Sequence, residues 1–227
     1  MPAHFSERTF GFLRQLAVNN DREWFADHKN AYEEAVKGPM LRFIADFAPE
    51  LRRISAHFVA DPRPVGGSLF RIQRDIRFAK DKQPYKTHAA AQFRHSAGKD
   101  VHAPGFYLHL APGEVFAGAG IWHPDSTTLA AIRSAIVARS AAWKRSVERP
   151  PFAEQCRLSG ESLQRPPRGF DPDHPLVEDL KRKDFIAVVD LSEAQATSGD
   201  FLARFVESCR ATLPLVRFLC RALELPC

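Results

Sequence analysis

Apolar residues recur at helical spacing in the first quarter of the chain and then switch to alternate positions. Phe5 and Ser6 precede Phe10, Leu13 and Leu16, so the spacing predicts a first helix capped by Ser6, with Phe5 and Phe10 as a hydrophobic staple. Asn19-Asn20-Asp21 ends it and caps a second helix, where Trp24, His28 and Tyr32 recur every fourth residue beside Phe25. A third helix starts at Pro39 and carries Met40, Phe43, Ile44, Phe47, Leu51 and Ile54 on one side. Pro49 falls inside it and predicts a kink or an early end.

The period changes after the Pro- and Gly-rich turn at 61–67. Phe70, Ile72, Ile76 and Phe78 alternate and predict a strand, with Arg71, Gln73, Asp75 and Arg77 opposite and Arg74 among the apolar positions, where it needs a partner. A second strand runs from His88 to His95, and a third and fourth, Gly105 to Ala111 and Val115 to Trp122, flank Pro112-Gly113. A hairpin centred there puts Phe106, Leu108, Leu110, Val115, Ala117, Ala119 and Ile121 on one wholly apolar face. The other face sets Tyr107 opposite Gly118, His109 opposite Phe116 and Gly105 near Gly120: an aromatic covering a glycine gap, or the floor of a binding site.

Asp125 or Ser126 caps a helix bearing Leu129, Ile132 and Ile136, and another follows around Trp143. Residues 159–175 are too rich in proline for regular structure, and loops of that length often serve as lids or binding loops. A strand from Phe185 to Leu191 and a helical region from Phe201 to Leu223, broken or restarted at Pro214, complete the chain. The expectation is an α+β fold, one domain over residues 1–227, with a largely antiparallel sheet of about five or six strands packed by N-terminal and C-terminal helices.

Composition agrees with a packed chain of 227 residues: 44% are apolar and 18 are phenylalanine. The first thirty positions are interrupted by charge and no long apolar run follows, so neither export nor a membrane is expected and the location reads as cytoplasmic and soluble. Cys156, Cys209, Cys220 and Cys227 form no CxxC pair; Cys209 and Cys220 share a helix face with Phe205, Val216 and Leu223, which predicts buried, inert thiols.

Charge changes the picture. Residues 63–99 hold nine Lys and Arg against Asp75 and Asp81, a local +7 in a chain of net +5. P-loop, dinucleotide, nucleophile-elbow and zinc signatures are missing. His88, His95, His102 and His109 recur every seven residues, but in strands an odd spacing alternates faces, so no metal site is expected; Asp171, Asp173 and His174 fit a helix N-terminus better than a cation site. Cofactors and oligomeric state are not indicated.

The most informative stretch is FRIQRDIRFAKDKQPYKTHAAAQFRH, from Phe70 to His95. Arg71, Arg74, Arg77, Lys80, Lys82 and Lys86, with Tyr85, His88 and Tyr107, make a candidate site for a phosphate-bearing or otherwise anionic small molecule such as a nucleotide, the bland alternative being solvated charges paired with their own acids. Nonspecific nucleic-acid binding is a second expectation, with Tyr85, Phe93 or Tyr107 stacking on bases. A third is a phosphoester-handling enzyme with His88 or His109 as acid or base and Asp75 orienting it. The same stretch resembles a family known as domain of unknown function 2461, whose members share an RDxRFSKDKTPYKTH segment. Asn19 to Phe25, Gly105 to Leu110, Pro112 to Glu114 and Arg168 to Asp171 also resemble its motifs. The resemblance implies membership and no activity. Ala79 and Gln83 stand where relatives are expected to carry Ser and Thr, which rules out a catalytic hydroxyl at either position.

Overall fold

The computed structural model describes residues 3–98 and 103–227; Lys99 and His102, which entered the charge count and the histidine spacing, lie outside them. Helix α1 (Glu7–Val18) begins at Ser6, whose N–H donates to the Thr9 hydroxyl, and both Phe5 and Phe10 are buried. Helix α2 (Arg22–Asp27) is capped by Asp21, which accepts from the Trp24 N–H at 2.8 Å. Next, α3 (Lys29–Tyr32) passes through a π-helical turn, Glu33–Lys37, directly into α4 (Gly38–Ile54). Helix α4 does not stop at Pro49. The proline forfeits one backbone hydrogen bond at a cost of about 3 kcal/mol, but Phe47 and Leu51 on either side are fully buried and hold the helix in register.

The sheet comprises β1 (Ala89–Arg94), β2 (Gly105–Ala111), β3 (Glu114–Ile121), β4 (Arg157–Ser159) and β5 (Phe185–Leu191), in the order β1-β2-β3-β5-β4 and antiparallel throughout. The fold is α+β. Between β3 and β4 come α5 (Ser126–Ala138), α6 (Ser140–Val147) and α7 (Phe152–Gln155); α8 (Val177–Leu180) precedes β5, and α9 (Glu193–Ala196) and α10 (Phe201–Ala222) close the chain. The Asp125 carboxylate caps α5 by accepting from the Thr128 N–H. Helix α10 runs unbroken through Pro214, because Leu215, Val216 and Leu219 are fully buried beside it, and it also buries Cys209 and Cys220. None of the described helices is long and apolar enough to cross a membrane.

One face of the sheet is the core. Phe93, Phe106, Leu108, Leu110 and Ala117 share one buried cluster with residues of α1, α4 and α10, with the Phe47 ring 4.7 Å from Phe93 and 4.9 Å from Phe205. A second cluster gathers Trp143, Phe152, Phe185 and Leu219. The proline-rich stretch packs beside it: Phe170 rests on this cluster, the Leu163 N–H donates to the Lys181 carbonyl, and the buried Asp184 accepts from the His123 and Glu161 N–H groups. The stretch is not wholly irregular, since Ser159 belongs to β4 at the sheet edge. None of its residues lines the cavity described below.

The expected strand over 70–78 is absent. Leu69 bridges Ala91 at the edge of β1 and Gln73 bridges Tyr85, but the rest is an irregular excursion. Its alternation is not matched by burial: Ile72 is buried whereas Phe78 is 94% exposed. Locally, the Asp75 and Asp81 carboxylates accept from the N–H groups of Arg77 and Gln83, two residues on, and these Asx turns compete with a sheet ladder.

Two glycines in β3 separate backbone need from open space. Gly120 has φ +125°, and a Cβ there would sit 2.0 Å from the Phe185 carbonyl oxygen, whereas a Cβ on Gly118 would meet Tyr107 at an ordinary 3.5 Å. Gly120→Ala is expected to cost about 3 kcal/mol or more and Gly118→Ala less than about 1 kcal/mol in urea denaturation; equal losses would contradict this account of β3.

Candidate functional site

The outward face of the sheet follows from the β2–β3 register, which pairs Tyr107 with Gly118, His109 with Phe116 and Gly105 with Gly120. Ala90 and Gln92 of β1 and Ile186 and Val188 of β5 extend the same face. Over it curls the excursion, whose two ends contribute Phe70 and Lys86; their backbones are tied down by Phe70 N–H to Ala90 O (2.9 Å) and Lys86 N–H to Ile72 O (2.8 Å). Between sheet and excursion lies a cavity of about 490 Å³, walled mainly by aromatic and aliphatic groups, with Trp122 at its rim. The Tyr107 ring covers Gly118, as the first expectation for this face has it, and the same face floors the cavity.

Its polar groups are few. His88 and His109 stand side by side, ring centroids 4.4 Å apart. His109 stacks on Phe116 at 4.7 Å, and its Nδ1 is 3.1 Å from the Tyr107 hydroxyl. The Glu114 carboxylate is 3.7 Å from His109 Nε2, beyond hydrogen-bond range. Burial, then the neighbouring His109 and Lys86, push His88 down to about 4. Burial alone pushes His109 to about 4. Desolvation penalises the imidazolium, so both rings are neutral at pH 7. Tyr107 is raised by burial and by Glu114, which keeps its hydroxyl protonated.

The rest of the cationic stretch is largely satisfied from within. Arg74 donates to Asp81 at 2.6 Å and to the Gln83 carbonyl, the partner its position demanded. Arg77 pairs with Asp75 through two nitrogens at 3.0 and 2.7 Å, which lowers Asp75 to about 2. Lys82 donates to the Ile76 carbonyl and Lys86 to the Arg71 carbonyl. Of the sequence candidates, Lys86, His88, Tyr107 and His109 line the cavity; Arg71, Arg74, Arg77, Lys80 and Lys82 belong to the excursion outside it. Asp75 is engaged with Arg77 and does not line the cavity beside either histidine.

Tyr85 has another task. Its ring stacks on Phe25 at 4.1 Å, and both its backbone groups are held by the Asn20 side chain, Tyr85 N–H to Oδ1 and Nδ2 to Tyr85 O, each at 3.0 Å. This amide clamp sets where the excursion returns to β1, and so places Lys86 and His88. Residues missed in the sequence reading, Phe70, Gln92, Trp122, Ile186 and Val188, are all cavity-lining, and Phe116 joins them from the face set opposite His109. Those on the strands share the parity of Tyr107 and His109, so the alternation that marked the core face also marked this one. The four-histidine spacing splits: His88 and His109 meet, while His95 is buried and bonds the Pro226 carbonyl at 2.7 Å. Among the described residues no group of three His, Cys, Asp or Glu side chains is placed to hold a metal ion.

The match to a conserved hypothetical protein family, DUF2461, spans residues 8–218 and includes every segment that builds this cavity. The chain belongs to the DUF2461 family. No curated protein matches the sequence. In this DUF2461 chain two of the segments that resembled family motifs, 19–25 and 74–88, meet through the Asn20–Tyr85 clamp.

The lowered histidines make stability depend on pH. Their folded values lie near 4, below the unfolded value of about 6.5, so the unfolded chain binds protons first and stability falls as pH drops from about 6.5 towards 4. Denaturation midpoints measured across this window should fall, and the His88→Gln/His109→Gln protein should lose much of that slope. In ring NMR of the wild type both imidazoles should stay neutral at pH 6, and a charged His88 there would contradict the burial argument.

Proposed function

We propose that this DUF2461 protein binds a small phosphate-bearing molecule of the nucleotide class, with its flat ring in the aromatic cavity and its phosphate at the rim beside Lys86. The observation that carries the reading is the double placement of Lys86, which belongs to the cationic stretch and also lines the cavity. Its ammonium lies 5.2 Å from the Phe70 ring centroid, and burial, then Arg71, lower its pKa, so an incoming anion would relieve an unfavourable desolvated charge. Walls such as Phe70, Phe116 and Trp122 suit a planar guest, and a few convergent polar groups among apolar walls are the usual anatomy of a small-molecule site.

A different surface supports a second reading, nonspecific binding of single-stranded nucleic acid. Phe78 is 94% exposed at the tip of the excursion, with the Arg77 guanidinium 5.9 Å from its ring centroid and Lys80 and Lys82 nearby in sequence. An exposed ring amid cations offers stacking and phosphate contacts together. The intramolecular pairing of Arg74 and Arg77 weighs against it, since those charges already have carboxylate partners.

Calorimetry with adenosine 5′-monophosphate separates the two. On the first reading the nucleotide binds, Lys86→Ala weakens it about tenfold or more, and Phe78→Ala leaves it unchanged. On the second, Phe78→Ala weakens an oligonucleotide whose affinity falls steeply with salt, and the mononucleotide is not bound.

A further inference from the structure

His88 is the one feature of the cavity that binding alone does not explain. It is half-buried, no hydrogen bond from the described residues reaches its ring, and it faces open space. Its nitrogens are not sealed from the cavity, so an imidazole without a protein partner is free to engage a guest there. Its neighbour contrasts with it, because His109 is pinned by the Tyr107 hydroxyl on one side and Phe116 on the other. One imidazole is fixed and the other is left to meet a guest.

Ser, Thr and Cys are absent from the described lining of the cavity, the Tyr107 hydroxyl is engaged with His109 and kept protonated by burial, and the one carboxylate, Glu114, belongs to an exposed residue. A reaction there would draw its nucleophile from the substrate. The geometry points to His88 as the general base of a phosphodiester-cleaving site, acting on a ribonucleotide ester whose own 2′-hydroxyl attacks the phosphorus. This rests on the nucleotide reading above and adds chemistry to it.

The step balances without a further reactant. His88 takes the proton of the 2′-hydroxyl, and the oxygen forms a new bond to phosphorus. The bond from phosphorus to the leaving oxygen breaks, and that oxygen regains a proton from the His88 imidazolium. The products are a 2′,3′-cyclic phosphate and a free alcohol. Lys86, on the cavity wall two residues before His88, supplies positive charge for the phosphorane. The titratable groups facing His88 are His109 and Tyr107 from β2, Glu114 from β3 and Lys86. Burial and the neighbouring His109 and Lys86 outweigh Glu114 and keep His88 unprotonated down to about pH 4, so its lone pair is available at neutral pH.

Uridine 3′-(4-nitrophenyl phosphate) tests this through release of nitrophenol. The wild type should cleave it with kcat/KM rising through about pH 4, the value for His88, and level from about pH 5.5 to 8, whereas a solvated histidine would give a rise through about 6.5. His88→Gln should lower kcat about 100-fold or more with KM changed less than about twofold, and the 2′-deoxy analogue should resist cleavage. Wild-type cleavage rates in His88→Gln, or equal cleavage of the deoxy analogue, would overturn the assignment. Adenosine monophosphate binding without cleavage of the probe would overturn the His88 role alone; absence of binding would remove the nucleotide reading beneath it.

Discussion

The pairing register of β2 with β3 is the constraint on which the rest of the molecule depends. Setting Leu108 against Ala117 turns one row of side chains into the phenylalanine-rich core and the alternate row, Tyr107, His109 and Phe116, outward. A slip of one residue would exchange the two sets and bury two polar rings in place of Phe106 and Leu108. Gly120 reinforces the register, because its positive φ and close approach to the Phe185 carbonyl admit no side chain at that crossing.

A half-covered outward face becomes a cavity only through contacts distant in sequence. The excursion after β1's edge contact has little regular structure of its own, so its return path is set by the Asn20 amide on Tyr85 and by the Phe25–Tyr85 stack. A primary amide can donate to a carbonyl and accept from an N–H at once, replacing the ladder partner that an irregular segment lacks. The N-terminal helices thus contribute to the cavity without lining it.

Electrostatics divides the basic stretch into two populations. Arg74 and Arg77 are paired with their own carboxylates on an exposed surface, where such pairs contribute little to stability but leave less charge free for a ligand. Lys86 and His88 sit against apolar walls, where solvation is poor and a neutral imidazole is favoured over its cation. Composition alone gave all of these groups equal weight, and burial separates them.

Periodicity, caps and turn residues determined much of the fold at the level of sequence: the Ser6 and Asp21 helix starts, the strands at 89–94, 105–111, 114–121 and 185–191, and the residues opposed across the Pro112-Gly113 hairpin. These follow from stereochemistry acting over a few residues, and local order is legible in local pattern. Pro49 and Pro214 misled because packing of their buried neighbours outweighs a lost hydrogen bond, and 70–78 misled because Asx turns broke an alternation that burial follows only at Ile72. Tertiary structure alone decided which histidines met each other and that Phe70 and Lys86 arch over the sheet. Those outcomes join residues from four separate strands and a clamp more than sixty positions away, and no short-range pattern encodes such distances.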